Sequence, residues 1–475
     1  MNKFNGILSI FLLITVFGLC SCTDDDSFST STNNILSFSK DTIKLDTVFS
    51  RIPTPTQSFW VYNKSDKGIR CTSVKLRQGN QTGFRVNVDG TYLSEVMGYQ
   101  ISNVEIRKND SIRIFVELTS PMNGKLSPQE LEDDLVFSLE SGVEQKVNLN
   151  AWSWDAEILN NVKVKDDMTL SSERPIIIMG GITVDSAATL RIPAGQTIFF
   201  HSGAGIDVYG QLLCEGEETR NVVLRGDRID NMFDYLPYDM VSGQWKGIHF
   251  HESSYNNRIA YTDIHSTFDG IVCDSSDVSR EKLEMVGSVV HNCQGDGLNL
   301  RNSSVKLYNC QVTNTLGDCI KAIGGSVIIQ HCTLAQFYPF DSQRGVALYF
   351  KNEEKSPMTL YCLNSLITGA SEDVITGQQN DSTELFDYYF VSSLLRTPVV
   401  EDTVRFKDII WENPSDTILS GKKHFKQVDM STQHFDFHLD SISPAIGKAN
   451  PIYALPKDRE GKSRDATPDM GCYEF

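Results

Sequence analysis

From about Arg174 onward the chain is a ladder of short apolar runs split by single glycines, as in PIIIMGGITVDSAATLRIPAGQTIFFHSGAGIDVYGQLLCEG. Each run is too short to bury a face alone, so its apolar residues leave water only if successive coils stack. Aligned by inward alternation, later segments give an aliphatic column at Ile264, Val290, Val312, Leu334 and Ile367, with spacings of 26, 22, 22 and 33 residues. A small-residue column stands two places earlier, at Thr262, Ser288, Cys310, Cys332 and Ser365. A partly polar column stands two places later, at Ser266, Asn292, Asn314, Gln336 and Gly369. Farther along each coil come the inward pairs Ile271 and Cys273, Leu298 and Leu300, Ile320 and Ala322, Val346 and Leu348, and Ile375 and Gly377. Columns kept in register through so many coils predict a right-handed parallel β-helix with a coil of about 22 residues.

Ahead of it, from Asn34 to about Trp154, runs such as TIKLDTVF, SIRIFVEL and QKVNLNAW alternate apolar with polar and are bounded by Asn, Gly, Asp, Ser or Pro. That is the pattern of an antiparallel β-sandwich. The fold class is therefore all-β: a right-handed parallel β-helix preceded by a β-sandwich, whose stretches SFWVYNKSDKGIRCTSVKL and SGVEQKVNLNAW resemble the immunoglobulin-like modules in front of bacterial surface domains. The expected domains are a signal peptide over 1–21, an acidic and polar tether over 22–33, the sandwich over 34–155, the β-helix over 156–440 and a closing segment over 441–475. A spacer role for the sandwich is expected, since no cluster of His, Cys or carboxylates falls in it.

MNKFNGILSIFLLITVFGL carries one early Lys and an apolar run too short for a membrane span, which is the layout of a secretory signal. Leu19-Cys20-Ser21-Cys22 closes it and is followed by three aspartates. This stretch resembles a bacterial lipobox, which implies that Cys22 is the acylated N-terminal residue and that the protein is an outer-membrane lipoprotein, facing the periplasm or the cell surface. The formal net charge of -18 without a basic cluster argues against nucleic acid. Nine cysteines besides Cys20 and Cys22 include no C-x-x-C pair. They fit neither a zinc ribbon nor a disulfide framework, and small buried hydrophobes are expected.

The stretches LRIPAGQTIFFHSGAGIDVYGQLLCEGEETRNVVLRGDR and GQWKGIHF resemble the opening coils of pectin-lyase-like right-handed β-helix repeat proteins of bacterial envelopes. DFHLDSISPAIGKAN and DREGKSRDATPDMGCYEF resemble the closing segment of choice-of-anchor-type β-helix proteins. The resemblance implies the fold, which hosts lyases, hydrolases and inert adhesins alike.

One place along each coil carries Asp269, Asp296, Asp318, Arg344 and Asp373. Asp before Gly suits a tight turn, so this column reads first as stacked turns. GDCIKAIGGSVIIQHCT also resembles a polygalacturonase segment. That resemblance matches Asp296 and Asp318 to acids of the family but leaves Gly317 where an acid is wanted and Arg344 where a His is wanted. A polysaccharide lyase is the other enzymatic option, with Lys321, Arg301 or Arg344 as a base and calcium beside the substrate carboxylate. The candidate catalytic set is thus Asp296, Asp318, Lys321 and Arg344.

Two insertions, GDRIDNMFDYLPYDMVSGQ and QFYPFDSQR, interrupt the coil at the same edge. They are expected to wall a sugar groove with Phe233, Tyr235 and Tyr238 on one side and Phe337, Tyr338 and Phe340 on the other, over a floor that includes Asp269. His249 and His251 alternate outward beside Glu252, a set able to take a metal, but solvated histidines are the simpler reading, and neither metal nor cofactor is expected. The expected function is non-catalytic glycan binding or surface scaffolding by a lipid-anchored monomer, its partners the membrane and a polysaccharide or surface protein. The alternative is an enzyme acting on uronate-containing polysaccharide.

Overall fold

The computed structural model describes residues 27–233 and 235–475; the signal segment, Cys22 and the start of the tether lie outside the described residues. The chain divides into two compact units between Trp154 and Asp155.

The first unit is a sandwich of two five-stranded sheets. In one, Gln57–Tyr62, Ser111–Leu118 and Phe84–Val88 lie side by side; the other holds Thr42–Phe49, Glu144–Trp154, Gln129–Leu139, Ile69–Leu76 and Gln100–Ile106. The expected antiparallel pairing holds with one exception: Thr42–Phe49 runs parallel to Glu144–Trp154. Alternation does the sorting. Ile112, Ile114, Val116 and Leu118 face Leu135, Phe137, Val147 and Leu149 in a shared core, and each such buried side chain is worth roughly 1.5–3 kcal/mol.

The second unit carries one continuous ladder of 26 strands from Glu157–Val164 to Ile410–Trp411. Its pairings are parallel, and each coil contributes strands to three faces. The predicted aliphatic column is one face: Ile264 pairs with Val290, Val290 with Val312, Val312 with Leu334 and Leu334 with Ile367. The small column is buried beside it. There Ser288 Oγ accepts from the amide of Thr262 and Ser365 Oγ from the amide of Cys332, both at 3.0 Å, so each hydroxyl caps the coil before. Ser266, Asn292 and Asn314 of the polar column hold φ of 62°, 54° and 55°, the left-handed geometry that short polar side chains tolerate. In the core Trp245 stacks on Phe200 with centroids 4.1 Å apart. All nine described cysteines are free and buried, as expected, and burial pushes thiols such as Cys214, Cys273 and Cys362 up to about 12.

One register is corrected. Leu348 and Phe350, not Val346 and Leu348, align with Ile320 and Ala322 before them and with Ile375 and Gly377 after. The inserted QFYPFDSQR hides this, because both apolar pairs satisfy alternation and only pairing with the neighbours chooses between them. Arg344 thereby leaves the acid column, and Val346 occupies its place.

The closing segment 441–475, together with the hairpin Phe425–Asp429 and His434–Leu439 that precedes it, forms a strap along one flank of the coils. Tyr473 Oη donates to Gln311 Oε1 at 2.8 Å, the Cys472 amide to Thr333 Oγ1 at 3.1 Å, and the Asn450 amide to Asn364 Oδ1 at 2.8 Å. Its apolar side, with Phe425, Phe437, Leu439 and Met470, packs on Ala335, Phe337, Leu366 and Leu394 of the coils. Four charged residues of DREGKSRDATPDMGCYEF, Asp458, Arg464, Asp469 and Glu474, are tied inward. Arg464 Nη1 meets Glu474 at 2.7 Å and Arg464 Nη2 donates to Asn309 Oδ1 at 3.0 Å, while Asp458 and Asp469 accept from the amides of Glu474 and Phe475.

Candidate functional site

The acids singled out in the sequence are caps. Asp269 Oδ1 accepts from the amide of Asp296 at 2.8 Å, Asp296 Oδ1 from the amide of Asp318 at 2.9 Å, and Asp318 Oδ1 from the amide of Val346 at 2.9 Å. Each carboxylate thus binds the same amide one coil further on. The preceding glycines make room: a Cβ on Gly295, Gly317 or Gly345 would fall 2.1–2.5 Å from an oxygen of the carboxylate before it. Asp296 Oδ2 is also engaged, by Asn299 Nδ2 at 2.9 Å and Lys321 Nζ at 3.5 Å. Burial raises the carboxyls of Asp269 and Asp318, and the charge of Asp296 adds to it. Asp373 only turns its own loop, its Oδ1 accepting from the amide of Ile375. Arg344, outside the column, has Met430 Sδ as its neighbour.

A structural role makes a quantitative prediction. Asp296→Ala leaves the Asp318 amide unpaired and should cost about 1–3 kcal/mol, whereas Asp296→Asn keeps the acceptor and should cost clearly less. Urea unfolding of the two variants reads the difference.

The expected groove between two aromatic walls is not what the loops build. Tyr338, buried, shares a 2.8 Å hydrogen bond with Ser242, so the two insertions touch. Phe337 is buried under the strap, stacked on Phe437. Tyr238 lies half-buried with the Arg228 guanidinium 3.6 Å from its ring centre. Phe233, Tyr235 and Phe340 remain exposed, the first two stacked at 5.8 Å. Long loops covered the helix side because burying an aromatic ring returns more than presenting it to water.

The structure instead brings together two His and Asp groups on outward positions of the coils. In one, Asp263, His265 and His291 meet: His265 Nδ1 lies 2.8 Å from Asp263, His265 Nε2 2.7 Å from Asp239, and His291 Nε2 3.2 Å from Asp263. Burial by itself would lower His265, but Asp263 and Asp239 outweigh it and push it up to about 9. Burial likewise opposes the charge of Asp263, yet His265 and His291 hold it well below the usual carboxylate range. Arg225 Nη1, 2.8 Å from Asp239, completes a closed ion cluster. The second group is Asp207, His249 and His251.

Beside the first cluster, between coils and strap, lies a cavity of about 590 Å³. Asp263, His291, Gln311 and Asn314 line it from the helix, and Phe435, Asp436, His438, Arg459 and Tyr473 from the strap. His438 Nδ1 is 2.5 Å from Asp436. Three buried polar atoms of its lining have no hydrogen-bond partner among the described residues: Asn221 Oδ1, Arg459 Nε, in a residue 9% exposed, and Asn314 Oδ1, in one 1% exposed. Among the described residues no carboxylate forms an ion pair with Arg459, in contrast to the pairing of Arg464 in the same strap. A larger hollow of about 780 Å³ carries Lys422, Lys423 and Lys426, which are solvated and place no such buried atom in it.

Sequence reasoning missed this cavity. Arg459 and Tyr473 lay in the quoted closing segment and His291 in the repeat, but 168 residues separate Arg459 from His291 (459 minus 291), and no periodicity links them.

Residues 177–337 match the family described as right handed beta helix region. No curated protein matches the chain. Among solved structures, a protein of unknown function from Porphyromonas gingivalis W83 is similar at 15% identity over 28% of this chain, with a TM-score of 0.19; the chain spans 58% of that protein. The ASH / PapD-like domain of human CEP192 is similar at 10% identity over 29% of this chain and 97% of its own, with a TM-score of 0.18. The pectate lyase Pel9A is similar at 13% identity over 67% of this chain and 88% of its own, with a TM-score of 0.33.

Proposed function

We propose that this β-helix protein is a lipid-anchored envelope protein that binds an acidic polysaccharide in the flank cavity, without cutting it. The observation that carries this reading is Arg459. A guanidinium nine-tenths buried with an unbonded Nε costs about 1–3 kcal/mol unless something pairs with it, and its fork geometry suits a carboxylate. Asn314 Oδ1 offers an acceptor for a hydroxyl, and Phe435 offers apolar ring surface for a sugar. The volume lies in the ordinary range for a ligand site. Anchoring through Cys22 and an outer-membrane location rest on the N-terminal sequence and complete the proposal.

The test is isothermal titration of the purified protein with uronate oligosaccharides and with their carboxyl-reduced counterparts. Binding is expected for the acids only, weakened at least tenfold by Arg459→Gln and less by Arg459→Lys. Equal binding of the reduced sugars, or an Arg459→Gln variant that binds as the parent does, refutes the site.

One observation favours a second reading, a uronate lyase. The His291–Asp263 and His438–Asp436 pairs face the same cavity as Arg459, which is where a base would stand opposite a neutralised carboxylate. Growth of ultraviolet absorbance from unsaturated products during the titration would replace binding by catalysis; its absence sustains the binding reading.

A further inference from the structure

We propose that Asp207, His249 and His251 form a binding site for a divalent transition-metal ion of the zinc class, with Asp274 orienting both imidazoles. The strand ladder builds the group. Asp207 in Ile206–Val208 is the register partner of His249 in Ile248–Phe250, and His251 and Asp274 stand just past the ends of consecutive strands on the same face. The candidate donor atoms of Asp207, His249 and His251 all lie within 4.8 Å of one another.

The direction of each ring nitrogen suits a metal. Asp274 takes one nitrogen of each ring: His249 Nε2 at 2.9 Å from its Oδ1, and His251 Nδ1 at 3.5 Å from its Oδ2. The other nitrogens, His249 Nδ1 and His251 Nε2, both face Asp207 Oδ1, at 3.9 Å and 3.0 Å. His249 Nδ1 and His251 Nε2 thus converge on one carboxylate oxygen, while the far nitrogen of each ring faces Asp274. The two rings lie with centroids 4.0 Å apart, close enough to serve one ion. One dication among Asp207 Oδ1, His249 Nδ1 and His251 Nε2 would take all three as ligands, and the carboxylates of Asp207 and Asp274 balance its charge.

Tetrahedral ligands at about 2.0–2.1 Å from zinc stand about 3.3 Å from one another, and the two observed separations bracket that value. A carboxylate holding the outer nitrogen of a ligating imidazole is the usual support in zinc sites. Tyr209 adds another by stacking on His251 with centroids 3.9 Å apart and planes 1° from parallel. Neighbouring charges leave the site accessible: Lys282 Nζ turns away to the carbonyl oxygens of His251 and Ser254, and His249 is 37% exposed in its side chain. Glu252 is no part of the group. The fourth position faces solvent and takes water. The Asp263 cluster is not proposed as a second such site, since both ring nitrogens of His265 are held by carboxylates, Asp263 at 2.8 Å and Asp239 at 2.7 Å.

The experiment is equilibrium dialysis of the chelator-stripped full chain against zinc chloride, with X-ray absorption at the zinc edge of the loaded parent. One ion per chain is expected, bound through two imidazoles and oxygen. His251→Ala and His249→Ala should each weaken it at least a hundredfold, Asp274→Ala ten- to a hundredfold, and His434→Ala, outside the group, not at all. Circular dichroism melting verifies that each variant folds. Absence of binding in the micromolar range, a zinc edge lacking two imidazoles, or undiminished binding in His251→Ala overturns the proposal. The edge spectrum needs no variant, so the proposal stays falsifiable if a substitution unfolds the chain.

Discussion

Gly317→Ala is expected to destabilise the β-helix unit by about 3–5 kcal/mol. The new Cβ would fall 2.4 Å from Asp296 Oδ1 and 2.8 Å from the carbonyl carbon and oxygen of Gly295. Two costs combine. Forcing a methyl group into a closed contact costs about 1–3 kcal/mol, and displacing the carboxylate strips the Asp318 amide of its acceptor for about as much again. Neither neighbour can yield by a simple rotamer change, because one is backbone and the other is fixed by hydrogen bonds to Asp318 and Asn299. The expected fall in the thermal midpoint is roughly 10 °C, read by scanning calorimetry. Adding Asp296→Ala should recover part of the loss, since the carboxylate to be displaced is gone while the contact with Gly295 remains. A drop below about 1 kcal/mol would mean that the caps do not hold the coils.

Stability is also expected to peak near pH 6.5 and fall on both sides, because two buried histidines shift in opposite directions. His265, flanked by Asp263, Asp239 and through Asp239 by Arg225, is raised from 6.5 to about 9 in the folded chain. Its stabilisation is complete below 6.5 and is lost as pH climbs to 9, since the unfolded chain has released a proton that the folded chain still holds. His331 is fully buried, and burial, aided by the charge of Arg464, lowers it to about 3. It stays neutral in the fold while the unfolded chain takes up a proton below 6.5, so stability falls as pH drops from 6.5 towards 3. Each limb is of order 3–5 kcal/mol. Asp269 and Asp318, held above the ordinary carboxylate value, oppose the acid limb weakly. Urea midpoints between pH 4 and 9 measure the dome. His265→Gln should flatten only the alkaline side and His331→Gln only the acid side; a stability that rises steadily from pH 6.5 to 9 would contradict the assignment.

Where the sequence was legible, the reason is repetition. Ile264, Val290, Val312, Leu334 and Ile367 read as one column because a parallel ladder returns the chain to the same place every coil, so three-dimensional neighbours keep a period in one dimension. The Asp column was visible for the same reason, and its Asp-Gly composition already suggested turns rather than catalysis. The reading slipped where an insertion broke the period. Val346 and Leu348 stood in for Leu348 and Phe350, and the loop aromatics were given to a groove although Phe337 and Tyr338 are buried. Asp207 and His249 are paired across the 226–244 insertion, so 42 residues (249 minus 207) separate ligands that adjacent rungs bring together.

By itself, then, the sequence determined the coil, its inward columns, the turn acids and the sandwich before them, since alternation and period are local properties of a repeating backbone. The tertiary structure alone decided where the strap lies, that Arg459 has no ion-pair partner among the described residues although it stands beside His291 and His438, and that two imidazoles face one aspartate. Those depend on how aperiodic segments dock on the ladder, and docking is set by the complementarity of whole surfaces, which no spacing along the chain records.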